Sequence, residues 1–402
     1  MLKERFLSYV KIHTTSSEES TDSPSTKRQF DLAHLLEKEL QDLGLKDVQV
    51  SDQCIVTGLL PGTTYETLGL LAHMDTSPDY SGENVKPQVI ENYDGGPVPL
   101  KGAGITMDPK DFPDLEALKG KTLITTDGTT LLGADDKAGV AEIMEILAYF
   151  VDHKDIPRPS IKVAFTPDEE VGRGTDAFDV KEFGADYALT LDGGPLGEFS
   201  IENFNAASAT ITIEGRNIHP GSAKNQMVNA LDIAADLHMA LPVEKRPQHT
   251  EDREGFIHLH GFTGKVEEAS LFYILRDHDK EKFQAQKDLL ASLVDYMKEK
   301  YQTPIHLDIQ DSYYNMKEKM APVDFLIEET LAAMKENDVE PLVIPIRGGT
   351  DGAQLSYKGL PCPNLFTGGH HYHGRYECIA LEDMEKAVDI VISLVKKLGK
   401  RK

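Results

Sequence analysis

Leu68-Gly69-Leu70-Leu71-Ala72-His73-Met74-Asp75 is the stretch on which the fold assignment turns. A short apolar run without alternating polar residues reads as a strand covered on both faces. This one stops abruptly at a His-x-Asp. Runs of the same form occupy Ile161–Phe165 ahead of Asp168, Ala188–Leu191 ahead of Asp192, and Leu342–Ile346 ahead of Arg347. Helical spacing falls between some of them, notably over Ala138–Phe150. That alternation predicts an α/β fold whose sheet carries helices on both sides. In such sheets functional residues gather outside the carboxyl ends of the strands, where these runs end in polar residues.

Upstream, Phe30, Leu32, Leu35, Leu36, Leu40 and Leu43 predict a helix over 27–44, after a Ser/Thr-rich loop at 15–26. Downstream the pattern changes. Ala206–Glu214 alternates like a half-buried strand, Gln226–Leu241 is helical, and Phe256–Phe262 and Ala269–Leu275 are strand-like around a Gly-containing turn. Lys280–Tyr301 is helical again and Ile305–Ile309 strand-like. The order β-α-β-β-α-β is the split-βαβ, ferredoxin-like pattern. The expected organisation is a discontinuous α/β domain over 1–205 and 317–402, interrupted by an α+β domain over 206–316.

Composition narrows the function classes. The 402 residues carry 42 basic and 67 acidic side chains, a net charge of −25. Such a surface repels phosphate backbones and anionic lipid, so nucleic-acid and membrane partners are not expected. No apolar stretch is long enough to span a membrane, and Met1-Leu2-Lys3-Glu4-Arg5-Phe6 lacks a signal-peptide core. The three cysteines, Cys54, Cys362 and Cys378, are too sparse for a disulfide framework and point to a reducing cytoplasm.

The chemistry lies in scattered motifs. On an extended segment, His73 and Asp75 point to one side. Asp75 could fix the ring of a metal-binding His73, although the pair alone reads more simply as hydrogen-bonded surface residues. Gly133-Ala134-Asp135-Asp136-Lys137-Ala138-Gly139 opens a helix. Capping and the macrodipole explain acids there, but a carboxylate could also bridge two metal ions. Thr166-Pro167-Asp168-Glu169-Glu170-Val171-Gly172 places three acids in succession. This is either a solvated loop or a pair of glutamates with different jobs, one binding metal and one taking a proton from water. Leu191-Asp192-Gly193-Gly194 and His219-Pro220-Gly221-Ser222-Ala223 each read as turns or as site residues. Arg347-Gly348-Gly349-Thr350-Asp351-Gly352 could hold an anion but lacks the Gly-Lys-Ser/Thr ending of a P-loop. Gly368-Gly369-His370-His371-Tyr372-His373-Gly374 supplies three histidines, metal-binding or solvent-exposed. Together, two His and three carboxylates suit a pair of Zn²⁺ ions ~3.5–4 Å apart.

These motifs, in this order along essentially the whole chain, resemble the tripeptide-aminopeptidase branch of the M20 metallopeptidase family. The matching segments run from Ala72-His73-Met74-Asp75-Thr76, through Leu131–Gly139, Pro167–Gly172, Leu191–Gly194, Asn217–Gly221 and Arg347–Gly352, to Tyr372-His373-Gly374. The resemblance implies two Zn²⁺ per subunit in a discontinuous zinc-peptidase-like domain with a mixed, mainly parallel sheet, and a ferredoxin-like lid. His73 and Asp192 would hold one zinc, Glu170 and His373 the other, and Asp135 both. Asp136 would neighbour Asp135 in its turn, Asp75 would orient His73, and Glu169 would be the general base. His219, in the lid, would stabilise the oxyanion, and either Arg347, beyond the lid, or Arg276 would hold the substrate carboxylate. For Arg276 the simpler reading is a salt bridge to a nearby acid, such as Asp277. His373 is chosen over His370 and His371 by its Tyr-His-Gly context.

The implied activity is release of the N-terminal residue from tripeptides by metal-activated water, with small peptides as partners and a homodimer through the lid as in some relatives. Another M20 amidohydrolase, such as an N-acyl amino acid deacylase or dipeptidase, would use the same metals with a different pocket. A non-catalytic metal- or peptide-binding protein would not need Glu169, and a nucleotide-binding protein would need a Gly-rich phosphate fingerprint. Carboxylate-rich sites also take cobalt or manganese.

Overall fold

The computed structural model describes residues 1–401. Its contacts divide the chain into two units: Met1–Ile201, Glu318–Ile344 and Thr350 onward form the first, and Glu202–Lys317 with Pro345–Gly349 the second.

The first unit is built on an eight-stranded sheet in the order Lys46–Val50, Val56–Leu60, Ser160–Thr166, Thr67–His73, Tyr187–Gly193, Asn364–Phe366, Glu198–Ser200, Leu342–Val343. The central Ser160–Thr166, Thr67–His73, Tyr187–Gly193 and Asn364–Phe366 strands all pair in parallel, with antiparallel pairs toward the margins. The sheet is thus mixed and mainly parallel, as expected. Thr67–His73 runs between two parallel neighbours and is buried along nearly all its length, so its sequence shows no polar alternation. Helix Ala134–Asp152 packs on Thr67–His73 and Tyr187–Gly193, and helices Leu2–Tyr9 and Leu381–Leu398 pack against that helix. Leu71, Ala164 and Ala188 enter a separate cluster with Phe178, Phe183 and Leu355. A second sheet, Gly369–His370, Cys378–Ala380, Leu123–Thr125, Gln88–Ile90, is antiparallel throughout.

One expected strand is corrected. Only Leu342–Val343 of the 342–346 run is strand, and Leu342 and Val343 are exposed. They sit at the sheet's edge and pair on one side only, with Glu198–Ser200, so apolar character there does not mean cover on both faces.

The second unit carries strands Asn205–Glu214, Phe256–Lys265, Glu268–Asp277 and Ile305–Tyr313, in the sheet order second, third, first, fourth, all antiparallel. Helices Ala230–Ala240 and Lys280–Tyr301 fill the two α positions of the ferredoxin-like order. Helix Ala230–Ala240 starts later than expected because Asn229 caps it, its side chain accepting the Leu231 N–H. Alternate residues Ala207, Ala209, Ile211 and Ile213 join Leu271, Tyr273, Leu275, Leu290 and Val294 in this unit's own core.

Candidate metal centre

Three adjacent parallel strands deliver donors at their carboxyl ends. His73 is the last residue of its strand, Asp192 the penultimate residue of Tyr187–Gly193, and Glu169 and Glu170 follow Ser160–Thr166 in a 3-10 turn. His73 Nε2 lies 2.8 Å from Asp135 Oδ1 and 3.5 Å from Asp192 Oδ1. His373 Nε2 lies 3.2 Å from Asp135 Oδ2 and 2.9 Å from Glu170 Oε2. Asp135 therefore stands between two imidazole–carboxylate pairs and turns one oxygen to each.

The two acids opening the helix divide the two roles left open for them. Asp136 Oδ1 accepts the Gly139 N–H at 3.2 Å, a capping bond, and Oδ2 accepts the His73 N–H at 3.1 Å. Asp135, with non-helical φ −83° and ψ 105°, turns toward the histidines. Asp136 can be grouped with His73 and Asp192 by distance alone, as Asp135 can with His73 and Glu170. Each Asp136 oxygen accepts a backbone N–H, whereas the Asp135 oxygens face the two imidazoles. His370 and His371 face Asp114 instead of this cluster.

Other residues fix the donors in place. His73 Nδ1 lies 3.1 Å from the Asp75 carbonyl oxygen and 3.3 Å from its Oδ1. The Asp75 carboxylate also accepts the Glu169 and Glu170 N–H groups at 3.0 and 3.2 Å, tying histidine and acidic turn together. Asp168, the first acid of the run, faces away from the donors. Its carboxylate accepts from the Ser25 N–H, the Ser25 hydroxyl and Gln29, which offsets the repulsion expected among three consecutive acids.

Three supporting residues were not foreseen. The buried Glu377 carboxylate accepts the N–H groups of Leu132, Gly133 and Asp135 at 2.7, 2.8 and 3.0 Å. Asn364 clamps Asp192 through its N–H and carbonyl, each at 3.1 Å. Asp79 Oδ2 lies 3.5 Å from His373 Nδ1. Nothing in the sequence near these positions signals such roles, because each acts on backbone or on a ring brought close only by folding.

The sequence profile of Peptidase family M20/M25/M40 matches residues 126–397. A protein of Alkaliphilus oremlandii named Peptidase T is 54% identical over 404 residues, covering 99% of each chain. The chain belongs to this peptidase family. Among solved structures, aminopeptidase PepT of Bacillus cereus superposes with a TM-score of 0.79 at 23% identity, covering 99% of this chain and 98% of that one. A dinuclear metal-binding peptidase of family M20 from Bacillus subtilis superposes with a TM-score of 0.68 at 11% identity, covering 99% and 98%. At these identities the structures show a shared fold.

The electrostatics of this M20 peptidase fit cations at the donor cluster. Burial pushes Glu169 well above the ordinary glutamate range, with Asp192 adding to the effect. Burial and the Asp135 carboxylate push Glu170 up to about 8, and burial raises Asp192 to about 6. Burial would lower His73, but Asp192, Asp135 and Asp75 hold it well above the usual imidazole value. Bonds to Asp135 and Glu170 raise His373 to about 11. Asp135, despite burial, is held down by the two histidines. Carboxylates crowded in a dry site share protons until a cation replaces them, so metal binding here would release protons.

His219, Arg276 and Arg347 belong to the second unit. His219 Nδ1 accepts the Gly221 N–H. Arg276 donates to the carbonyls of Ala207 and Leu275 and lies over the Tyr313 ring. This replaces the expected salt bridge to Asp277, because neighbouring residues on a strand point to opposite faces. Arg347 donates to the Asp252 and Glu254 carbonyls and stacks over Phe204.

Proposed function

We propose that the chain is a dinuclear zinc aminopeptidase that releases the N-terminal residue of tripeptides, with Glu169 as general base. The observation that carries the reading is Asp135, each of whose oxygens faces a different imidazole–carboxylate pair. The donor chemistry fits zinc, which takes imidazole nitrogen and carboxylate oxygen. Glu170 Oε1 is buried without a hydrogen-bond partner among the described residues, as an unfilled ligand atom would be. His73 and Asp192 would hold one ion, Glu170 and His373 the other, and Asp135 both. When bound, such a metal pair polarises the scissile carbonyl and makes water acidic near neutral pH.

The protein's own groups do the rest. Asp75 holds the Glu169 backbone, and burial keeps the Glu169 carboxyl basic enough to accept a proton from water and return it to the leaving amine. His219 stabilises the oxyanion, and Arg276 or Arg347 holds the substrate carboxylate. These roles, the lid function of the second unit and a homodimer through it rest on the motif resemblance, as does the tripeptide limit. The buried, unpaired Cys54, Cys362 and Cys378 suit a cytoplasmic protein.

The test is Glu169→Gln, assayed on di-, tri- and tetrapeptides and N-acetyl amino acids, with and without chelator. Turnover should favour tripeptides, vanish with chelator, and fall ~10²–10⁴-fold in the variant at unchanged metal content. Near-normal turnover in the variant removes Glu169 as base, and preferential cleavage of N-acetyl amino acids replaces the aminopeptidase reading.

A further inference from the structure

The segment that carries His373 also carries a second donor cluster, which the proposed chemistry does not use. His370 Nδ1 lies 2.8 Å from Asp114 Oδ2, and His371 Nε2 lies 3.0 Å from the same oxygen. The first contact has hydrogen-bond geometry. The second does not: His371 Nε2 is buried and has no hydrogen-bond partner among the described residues. A buried ring nitrogen this close to a carboxylate, yet not bonded to it, is costly unless something else satisfies it.

The three donors are held by anchored elements. Asp114 lies in the 3-10 turn Pro113–Leu118, whose Leu115 and Leu118 are buried with Leu123, Cys378 and Ala380. The His371 ring meets the Phe112 ring edge-on at 4.8 Å. His370 pairs with Cys378 in the small antiparallel sheet.

We propose that Asp114, His370 and His371 form a third divalent-metal site, of the zinc class, separate from the ions assigned to the His73–His373 cluster. Ligating atoms of all three residues lie within 4.8 Å of one another. Two imidazole nitrogens and a carboxylate oxygen select a borderline cation such as Zn²⁺ over Ca²⁺ or Mg²⁺, which prefer all-oxygen shells. Three protein ligands leave a fourth position for water. The Asp114 and His371 side chains are 36% and 25% exposed, giving the ion a route from solvent, while His370 at 7% anchors the site. An ion there ties the Pro113–Leu118 turn to the segment holding His373, which lies two residues beyond His371. The competing arrangement is an imidazole–carboxylate–imidazole bridge that never binds an ion.

The inference does not rest on the proposed reaction. Its test is equilibrium titration of the full-length protein with Zn²⁺, followed by elemental analysis. Three ions per chain are expected, and the site is read from the ion that its variants lose, not from the total alone. Asp114→Asn and, separately, His371→Gln should each bind one ion fewer than the parent, with far-ultraviolet circular dichroism unchanged. Retention of the parental stoichiometry in both variants overturns the assignment. A parent that binds fewer than three ions but loses one on Asp114→Asn and on His371→Gln keeps this site and sinks the dinuclear reading instead.

Discussion

Asp135 and Glu377 show how much of this centre depends on single carboxylates in unlike surroundings. Asp135 offers its oxygens to two histidines, while Glu377 spends its own on three backbone N–H groups that fix the turn carrying Asp135. Glu377→Gln keeps the shape but turns an amide NH₂ toward N–H donors. It is expected to weaken metal binding ~10–100-fold, as loss of a ligand-orienting partner typically does, read by chelator competition. Unchanged affinity would mean that the turn holds Asp135 without Glu377. The two residues were not equally legible. Asp135 stands in a recognisable run of motif residues, whereas Glu377 acts on peptide groups 242 to 245 positions away and leaves no local trace.

Helix Ala134–Asp152 links the donor cluster to the core. It approaches the Tyr187–Gly193 strand so closely that a Cβ on Gly139 would lie 1.9 Å from the Leu191 carbonyl oxygen and 2.6 Å from Asp136 Oδ1. Gly139→Ala must therefore displace helix or strand. A loss of ~1–3 kcal/mol is expected, seen as a lower midpoint in urea, together with weaker metal binding because Asp192 lies on that strand. The same helix buries Glu142 completely, with no hydrogen-bond partner for either oxygen among the described residues. Burial raises its pKa well above the ordinary value. The native carboxyl is then neutral while the unfolded chain ionises above ~4.3. Stability is unimpaired below that unfolded value and falls as pH rises toward the folded one, by up to about 1.4 kcal/mol per pH unit. Glu142→Met is expected to raise Tm, and more at pH 8 than at pH 5. An equal gain at both would show that Glu142 does not titrate in this way.

At the scale of the whole molecule, the proposed metal donors all belong to one of the two units. Ligand binding stabilises only the state that binds, by about 2.7 kcal/mol at a hundredfold excess over Kd. Chelation should therefore lower the calorimetric transition of the first unit and leave that of Glu202–Lys317 in place. A matched fall in both would mean that the two unfold as one cooperative block. The second unit has its own apolar core, and none of the donors lies in it.

The sequence by itself determined the α/β sheet, the ferredoxin-like element order and the chemical types of the donors. Strand burial and helical spacing are local periodicities, and His, Asp and Glu declare their chemistry wherever they stand. It misjudged Leu342–Ile346, because an apolar run does not say whether a strand is central or at an edge. Tertiary structure alone decided that Asp135 faces two histidines while Asp136 caps a helix, and that Glu377 and Asn364 hold the backbones at Asp135 and Asp192. It also set His370 and His371 apart from His373, against Asp114. Those outcomes depend on distances of about 3 Å between residues remote in the chain, which only packing fixes.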